Sequence, residues 1–291
     1  GDTFTISKAT ADILEAGSVN FTVKVEEDTV VETSETIGAT MVTGQSYVAL
    51  GDSTLATHTI TDTDAVTLSL SQTSGTTTSS ESAEATNIYT LTWNSDLGVG
   101  IEAMEVSLPF SGSATKDSDF VVNAGTGLTI VDDNFSITKT TADILEAGSV
   151  SFTVKVEEDT VVETSESFSA IMTNGQSYVT LGDNVLATHT ITDTDTVTLS
   201  LSQSAGNTTS SESAEATNTY TLTWGSDLGA GIEAMQVSLP FSGSAQKGSD
   251  YVVNPGAGLT IVDDAFTITK TTGDILEAGS VNFTVKVEED T

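Results

Sequence analysis

Apolar and polar residues alternate in short runs along most of the chain. Phe152, Val154 and Val156 stand between Thr153 and Lys155, the period-two pattern of a strand with one buried face. An acidic stretch, Glu157-Glu158-Asp159, follows, and a second β-rich run opens at Val161 and Val162. The unit reads as strand, carboxylate-loaded turn, strand. It occurs at 21–32, 152–163 and 283–291. Between 65 and 195 the same reading predicts seven strands. Six cover 66–71, 89–93, 104–110, 120–131 (kinked at 124–127), 150–156 and 161–172. The seventh joins 178–181 to 187–191 through a bulge at Gly182-Asp183. Pro109 marks an edge or bulge, and Phe135 and Ile137 suggest an extra strand within 132–148. No segment has helical periodicity. Seven short alternating strands with turn residues between them predict an all-β chain built of β-sandwiches.

The pattern repeats. Asp12-Ile13-Leu14-Glu15 recurs at 143–146 and 274–277, a spacing of 131 residues each time (143 − 12 and 274 − 143). Trp93 and Trp224, and His58 and His189, share that spacing. Near-identity at so long a period predicts tandem domains. The natural boundary follows Thr61-Asp62-Thr63-Asp64 and its copy Thr192-Asp193-Thr194-Asp195. It gives a C-terminal half-repeat at 1–64, a complete sandwich at 65–195, and a repeat at 196–291 that lacks its last two strands. A chain that opens inside a repeat reads as an excised stretch of something longer. Residues 30–64 of one molecule are expected to complete 196–291 of another, head to tail, by strand addition.

Composition narrows the partners. The net charge is −34, with eight Lys, no Arg and no Cys. Phosphate recognition needs basic residues, so nucleic acid is excluded as a partner. No segment is apolar enough to insert into a membrane, and no signal peptide is present. Without Cys there are no disulfides, so a small extracellular domain needs another staple, such as a metal.

Chain direction then places the carboxylates. If the seven strands run alternately up and down, one tip collects Glu81 and Glu84, Asp117 and Asp119, Glu157, Glu158, Asp159 and Glu163, and Asp193 and Asp195. These are ten of the nineteen acidic residues between 65 and 195, with Lys116 the only expected cation nearby. Such a cluster holds protons or a cation. Oxygen ligands without Cys or His suit calcium better than magnesium or zinc. The copies give Glu27, Asp28, Glu32, Asp62 and Asp64 on one side, and Glu212, Asp250, Glu289 and Asp290 on the other. The opposite tip carries Asp96, Asp132 and Asp133, copied as Asp227, Asp263 and Asp264. It abuts the acidic tip of the preceding repeat, so these are candidates for a junction cation.

The runs Ser111-Gly112-Ser113-Ala114-Thr115-Lys116-Asp117-Ser118-Asp119-Phe120, Glu158-Asp159 to Glu163, Glu166-Ser167-Phe168 and Ile191-Thr192-Asp193-Thr194-Asp195 resemble the Calx-β domain family. That family is a seven-stranded immunoglobulin-like sandwich with calcium at one tip. The resemblance implies Glu81, Asp119, Glu158, Asp159, Glu163, Asp193 and Asp195 as ligands. Glu158 departs from the family's usual Asp, and 132–148 lengthens the repeat. Acidic, Cys-free, Thr-rich tandem copies are also similar to the extender regions of large bacterial RTX-type adhesins. The implied function is a calcium-stiffened spacer on a bacterial cell surface, secreted, that projects a distal binding region. The alternative is a carbohydrate- or protein-binding sandwich. No nucleophile or acid–base constellation stands out, so an enzyme is not expected. His189 is expected to be packed or at the surface, and Trp93 and Trp224 to lie in the core.

Overall fold

The computed structural model describes residues 3–7, 16–138, 145–269 and 276–289. The described residues form strands joined by turns, with two 3-10 turns and no α-helix. Near the N-terminus, β1 (Glu35–Ile37) and β2 (His58–Ile60) pair antiparallel. The central unit follows. Its strands are β3 (Val66–Ser74), β4 (Thr78–Ser80), β5 (Thr86–Trp93), β6 (Ala103–Ser107), β7 (Phe110–Gly112) and β8 (Phe120–Ala124). Then come β9 (Leu128–Val131), β10 (Asn134–Thr138), β11 (Gly148–Val156), β12 (Glu166–Ile171), β13 (Val179–Leu181) and β14 (Val185–Thr192). One sheet has the order β13-β3-β5-β11-β8, the other β4-β14-β12-β7, and a third, β6-β10-β9, extends the sandwich.

Alternation explains which face is buried. Leu68, Leu70 and Leu91 point inward from the first sheet, with Phe152, Val154 and Val156 beside them. Phe168, Ala170, Leu186 and Ile191 point back from the second, and Met104, Val106, Phe135 and Ile137 close the third side. Each fully buried side chain of this size contributes about 1.5–3 kcal/mol. Trp93 is in the core, as expected, and its ring N–H donates to the Glu146 carbonyl at 2.8 Å.

The chain changes sheets at two corners, of which only the one at Gly182-Asp183 was expected, as a bulge. Gly75 lies at φ +103°, where a Cβ would meet the Asn87 amide oxygen at 1.9 Å. That corner sends β3 to one sheet and β4 to the other. A second corner at 182–184 splits the expected seventh strand into β13, parallel to β3, and β14, antiparallel to β12. Phe135 and Ile137 do form the extra strand, β10.

Two expected strands divide between sheets, 104–110 into β6 and β7 and 120–131 into β8 and β9, and a third starts late. The run expected to start at Val161 becomes β12 only at Glu166. Val161-Val162-Glu163-Thr164 is used elsewhere. The Val162 N–H donates to the Asp227 carbonyl at 2.9 Å, and the Gly229 N–H to the Val162 carbonyl at 2.9 Å. The same bonds join Val31 to Asp96 (2.9 Å) and Gly98 to Val31 (2.8 Å). So the segment after each acidic turn is a short backbone seam to the following repeat.

The C-terminal unit has β15 (Leu199–Ala205), β16 (Thr217–Trp224), β17 (Ala234–Ser238), β18 (Tyr251–Pro255), β19 (Leu259–Val262), β20 (Ala265–Thr269) and β21 (Gly279–Val287). Its sheets, β15-β16-β21-β18 and β17-β20-β19, copy the first and third sheets of the central unit. Phe283 pairs with Tyr220 as Phe152 pairs with Tyr89.

Candidate cation site

Register brings the acidic residues together. β4 runs parallel to β14 with Ser80 opposite Thr192. The next residue on each strand, Glu81 and Asp193, therefore starts from neighbouring positions. Glu81 opens a 3-10 turn that closes with Glu84 at φ 42°, its N–H donating to the Glu81 carbonyl at 2.7 Å. That turn leaves the Glu81 side chain 2 % exposed. Asp193 holds the seam in place. One of its oxygens accepts from the Glu163 N–H and the other from the Asp195 N–H, both at 2.7 Å.

A second group sits against the first. Glu166 opens β12 on the same inward-facing register as Phe168 and Ala170, and it is 6 % exposed. Asp119 precedes β8, is equally buried, and accepts a hydrogen bond from the Thr115 N–H. Glu163 completes the group, and one of its oxygens accepts from the Ala230 N–H of the following repeat at 3.1 Å. Ligand oxygens of Glu81, Asp193 and Asp195 lie within 4.8 Å of one another, as do those of Asp119, Glu163 and Glu166. Among the described residues these are the two acidic groups so closely drawn.

The electrostatics are unfavourable for bare carboxylates. Burial pushes the Glu81 carboxyl up to about 8, and the charges of Asp193 and Asp159 add to it. Burial also raises Glu166, with a hydrogen bond to Asp119 next in weight. Glu163 and Asp195 are raised, again by burial first. One oxygen each of Glu81, Glu163 and Asp195 is buried without a hydrogen-bond partner. A buried carboxylate oxygen without a donor costs free energy unless a proton or a cation meets it. Six carboxylates supply enough hard oxygen ligands for calcium.

The other expected residues divide. Asp159 lies beside the group, its side chain accepting from the Val161 N–H at 2.7 Å. Glu158 is exposed. Glu84 and Glu157 both pair with Lys155, at 2.9 and 3.2 Å, so they leave the group. Lys116 pairs instead with Asp133. Lys155, which the strand reading had assigned only to the sheet, is thus a cation at this tip.

In the N-terminal unit Asp28, Glu32, Asp62 and Asp64 repeat the local bonds. The Glu32 N–H donates to Asp62 at 2.7 Å, and Asp62 accepts from the Asp64 N–H at 2.9 Å. Glu27 is exposed. In the C-terminal unit Asp250 accepts from the Gln246 N–H at 2.7 Å, and Glu212 and Glu289 are exposed. Asp290 lies outside the described residues.

Among the described residues the junction candidates are not drawn into one close group. Asp96 and Asp227 stand in the seam as backbone acceptors, and their side chains accept from the Ala147 and Ala278 N–H groups at 2.6 Å. Asp132 and Asp133 make the turn between β9 and β10, at φ 47° and 63°, away from the seam's hydrogen bonds. In the corresponding turn Asp264 pairs with Lys247 at 2.9 Å, and the Asp263 carbonyl accepts from the same lysine at 2.6 Å. A hairpin turn that folds back toward a lysine explains the difference, because strand counting alone had put these residues at the opposite tip.

Glu166 was missed as a site residue. Its signal was available: counting back by two from Ala170 and Phe168 puts a carboxylate on the buried face. The structure also ties His189 to a hydroxyl, which the sequence did not suggest. His189 Nε2 lies 2.8 Å from Ser79 Oγ, and Nδ1 contacts the Thr76 carbonyl and the Asn87 side chain. The ring is buried and stacked on Phe168. It pins the β4 edge to β14 rather than facing solvent.

No protein-family model matches the chain, and no curated protein matches it. Among solved structures, an apo-form Calx CBD1 domain aligns at 20 % identity over 45 % of this chain and 100 % of that one, with a TM-score of 0.31. The calcium binding domain CBD12 of CALX1.1 aligns at 14 % identity over 76 % of each chain, with a TM-score of 0.29. The serine-rich repeat adhesion glycoprotein Srr1 from Streptococcus agalactiae aligns at 12 % identity over 78 % of this chain and 89 % of that one, with a TM-score of 0.27. Overlap at this level carries no functional argument, which rests on the carboxylates themselves.

Proposed function

We propose that this chain is a stretch of an extracellular spacer, in which calcium at the tip of each sandwich stiffens the seam to the next and holds a distal binding region away from a bacterial surface. The observation that supports it is the Glu81 carboxyl, buried beside Asp193 and Asp195 with one oxygen unmet. A hard cation held by Glu81, Asp193 and Asp195, with Asp119, Glu163 and Glu166 next to it, would meet the oxygens of Glu81, Glu163 and Asp195 that no protein donor reaches. When bound, the ion supplies positive charge and oxygen coordination only. The chain's own part is positional. Asp193 holds the backbone at Glu163 and Asp195, and Glu163 reaches from the acidic group to the backbone of the next repeat. Near-identical copies favour reach over recognition, and among the described residues no helix is long and apolar enough to cross a membrane.

The test is thermal unfolding of the whole chain in chelator, in millimolar calcium and in millimolar magnesium. An ion that binds only the folded state adds RT ln(1 + [Ca]/Kd), about 4 kcal/mol at a thousandfold excess over Kd. A calcium-specific rise in melting temperature is expected. Identical melting in all three buffers would sink the reading.

A further inference from the structure

One ring ties the two main sheets of the central unit together. His189 sits on β14, is 1 % exposed and stacks on Phe168 of β12, with ring centroids 5.1 Å apart. It also reaches the facing sheet. Nδ1 lies 2.9 Å from the Thr76 carbonyl, at the corner between β3 and β4, and 3.2 Å from the amide nitrogen of Asn87 on β5. Asn87 is buried too, and its side-chain oxygen accepts from the Thr76 N–H at 2.8 Å. Nε2 lies 2.8 Å from Ser79 Oγ on β4. A carbonyl only accepts, so Nδ1 carries the proton of the ring and Nε2 accepts from the Ser79 hydroxyl. These contacts select the neutral ring in one tautomer.

β4 is otherwise lightly held. It is three residues long, lies at the edge of its sheet and pairs there with β14. An element with so few bonds opens at low cost. Glu81 follows it directly, so a movement of β4 carries that carboxyl away from Asp193 and Asp195.

A second proton on the ring finds nothing prepared for it. On Nε2 it meets a hydroxyl that was donating and must turn round, and the new charge is buried. The titratable groups on the elements packed around the ring are Glu81 after β4, Glu84 before β5, Tyr89 on β5, Glu166 opening β12 and Asp193 after β14. None of them is a hydrogen-bond or stacking partner of the ring. β3 and β7 carry no titratable residue. Burial lowers the pKa of the ring from its ordinary 6.5, the Thr76 hydrogen bond opposes this, and no carboxylate offsets it. The closed arrangement is therefore favoured by a neutral ring and loses that advantage as pH falls below 6.5.

We infer that His189 is an acid-sensitive latch on β4: a second proton on its ring frees Ser79 and the Thr76 corner, and β4 leaves the edge of β14 and takes Glu81 with it. The opening constant of β4 rises about tenfold for each pH unit below 6.5, until the closed ring itself titrates. The release of a cation by this movement rests on the cation site proposed above; the opening of β4 does not.

Amide hydrogen exchange of the full chain in chelator tests the latch, at neutral pH and at about pH 5, with exchange times scaled for the intrinsic pH dependence. Peptides over 76–84 are expected to lose protection by tenfold or more in acid, while those over β11 keep theirs. His189→Gln does not titrate and is expected to show equal protection of 76–84 at both pH values. His58→Gln, which removes the exposed histidine, is expected to behave as wild type. The midpoint of opening is expected to coincide with the titration of the His189 ring, read by NMR on the wild-type protein, which decides the matter even where His189→Gln fails to fold. Unchanged protection of 76–84 in acid overturns the latch. So does an acid opening that persists in His189→Gln, or one whose midpoint departs from that of the ring. Millimolar calcium is expected to move the opening to lower pH. If calcium raises the melting temperature at neutral pH yet leaves the acid opening unmoved, the link from β4 to the cation is overturned. If calcium changes neither, the cation site itself fails, and the chelator experiment still decides the latch.

Discussion

Glu81 sets the pH response. Its carboxyl is near 4.5 in the unfolded chain and is raised to about 8 in the fold, by burial and then by Asp193 and Asp159. Between those values the folded chain holds a proton that the unfolded chain has lost. The stability linked to this group is therefore complete below pH 4.5 and is lost as pH rises through about 8. On the proposed function calcium would take the proton's place, so the loss is expected in chelator and absent in calcium when melting is followed across that range. Glu81→Gln keeps the shape without the charge. In chelator at neutral pH it is expected to melt higher than wild type, and to gain less from calcium. The His189 imidazole has the opposite sign, since burial lowers it and its share of stability is lost as pH falls. His189→Ala strips Ser79 and Asn87 of their partner and opens a cavity against Phe168, a cost of about 2–4 kcal/mol by denaturant unfolding. The sequence did not show this network, because Ser79 and His189 are 110 residues apart and meet only through the parallel pairing of β4 with β14.

Strands were the most legible elements. Period-two alternation located β5, β6, β11 and β14 to within a few residues, because one buried face imposes that period. The acidic tip was legible for the same reason, since alternating strand direction sends alternate loops to one end. Two kinds of feature were not. Sheet-switching corners at Gly75 and 182–184 depend on which sheet receives the next residues, which local pattern does not encode. The run at 161–164 has strand composition but pairs across the seam, so composition named its conformation and not its partner. The seam makes its own prediction. A Cβ at Gly229 would meet the Glu163 carboxylate at 2.3 Å and the Val161 side chain at 2.6 Å, whereas one at Gly225 meets nothing within 4 Å. Gly229→Val is expected to separate the two repeats, giving a broader distance distribution in small-angle scattering with the central melting transition unchanged. Gly225→Ala is expected to behave as wild type. A scattering profile identical to wild type for Gly229→Val would mean that the seam does not hold the repeats.

At the scale of the molecule, the seam is made twice in the same way. Val31 bridges Leu97 and Val162 bridges Leu228, and both partners shift by 131 (162 − 31 and 228 − 97). Each loop residue also bridges onward, Leu97 to Leu145 and Leu228 to Leu276. A joint repeated with the same backbone bridges is expected to set a similar orientation at every step of an array. The charge of −34 resists compaction but does not fix direction. Screening by salt weakens that repulsion, while the seam's backbone bonds are short-ranged and insensitive to it. The two sources of extension therefore separate experimentally. In calcium, the maximum dimension of arrays with increasing numbers of the 131-residue unit is expected to rise in proportion to repeat number, at low and at high sodium chloride alike. In chelator the rise is expected to fall below proportionality and to become salt-dependent, because charge repulsion alone then keeps the chain extended. Equal salt dependence in both buffers would show that charge, and not the cation-braced seam, sets the length.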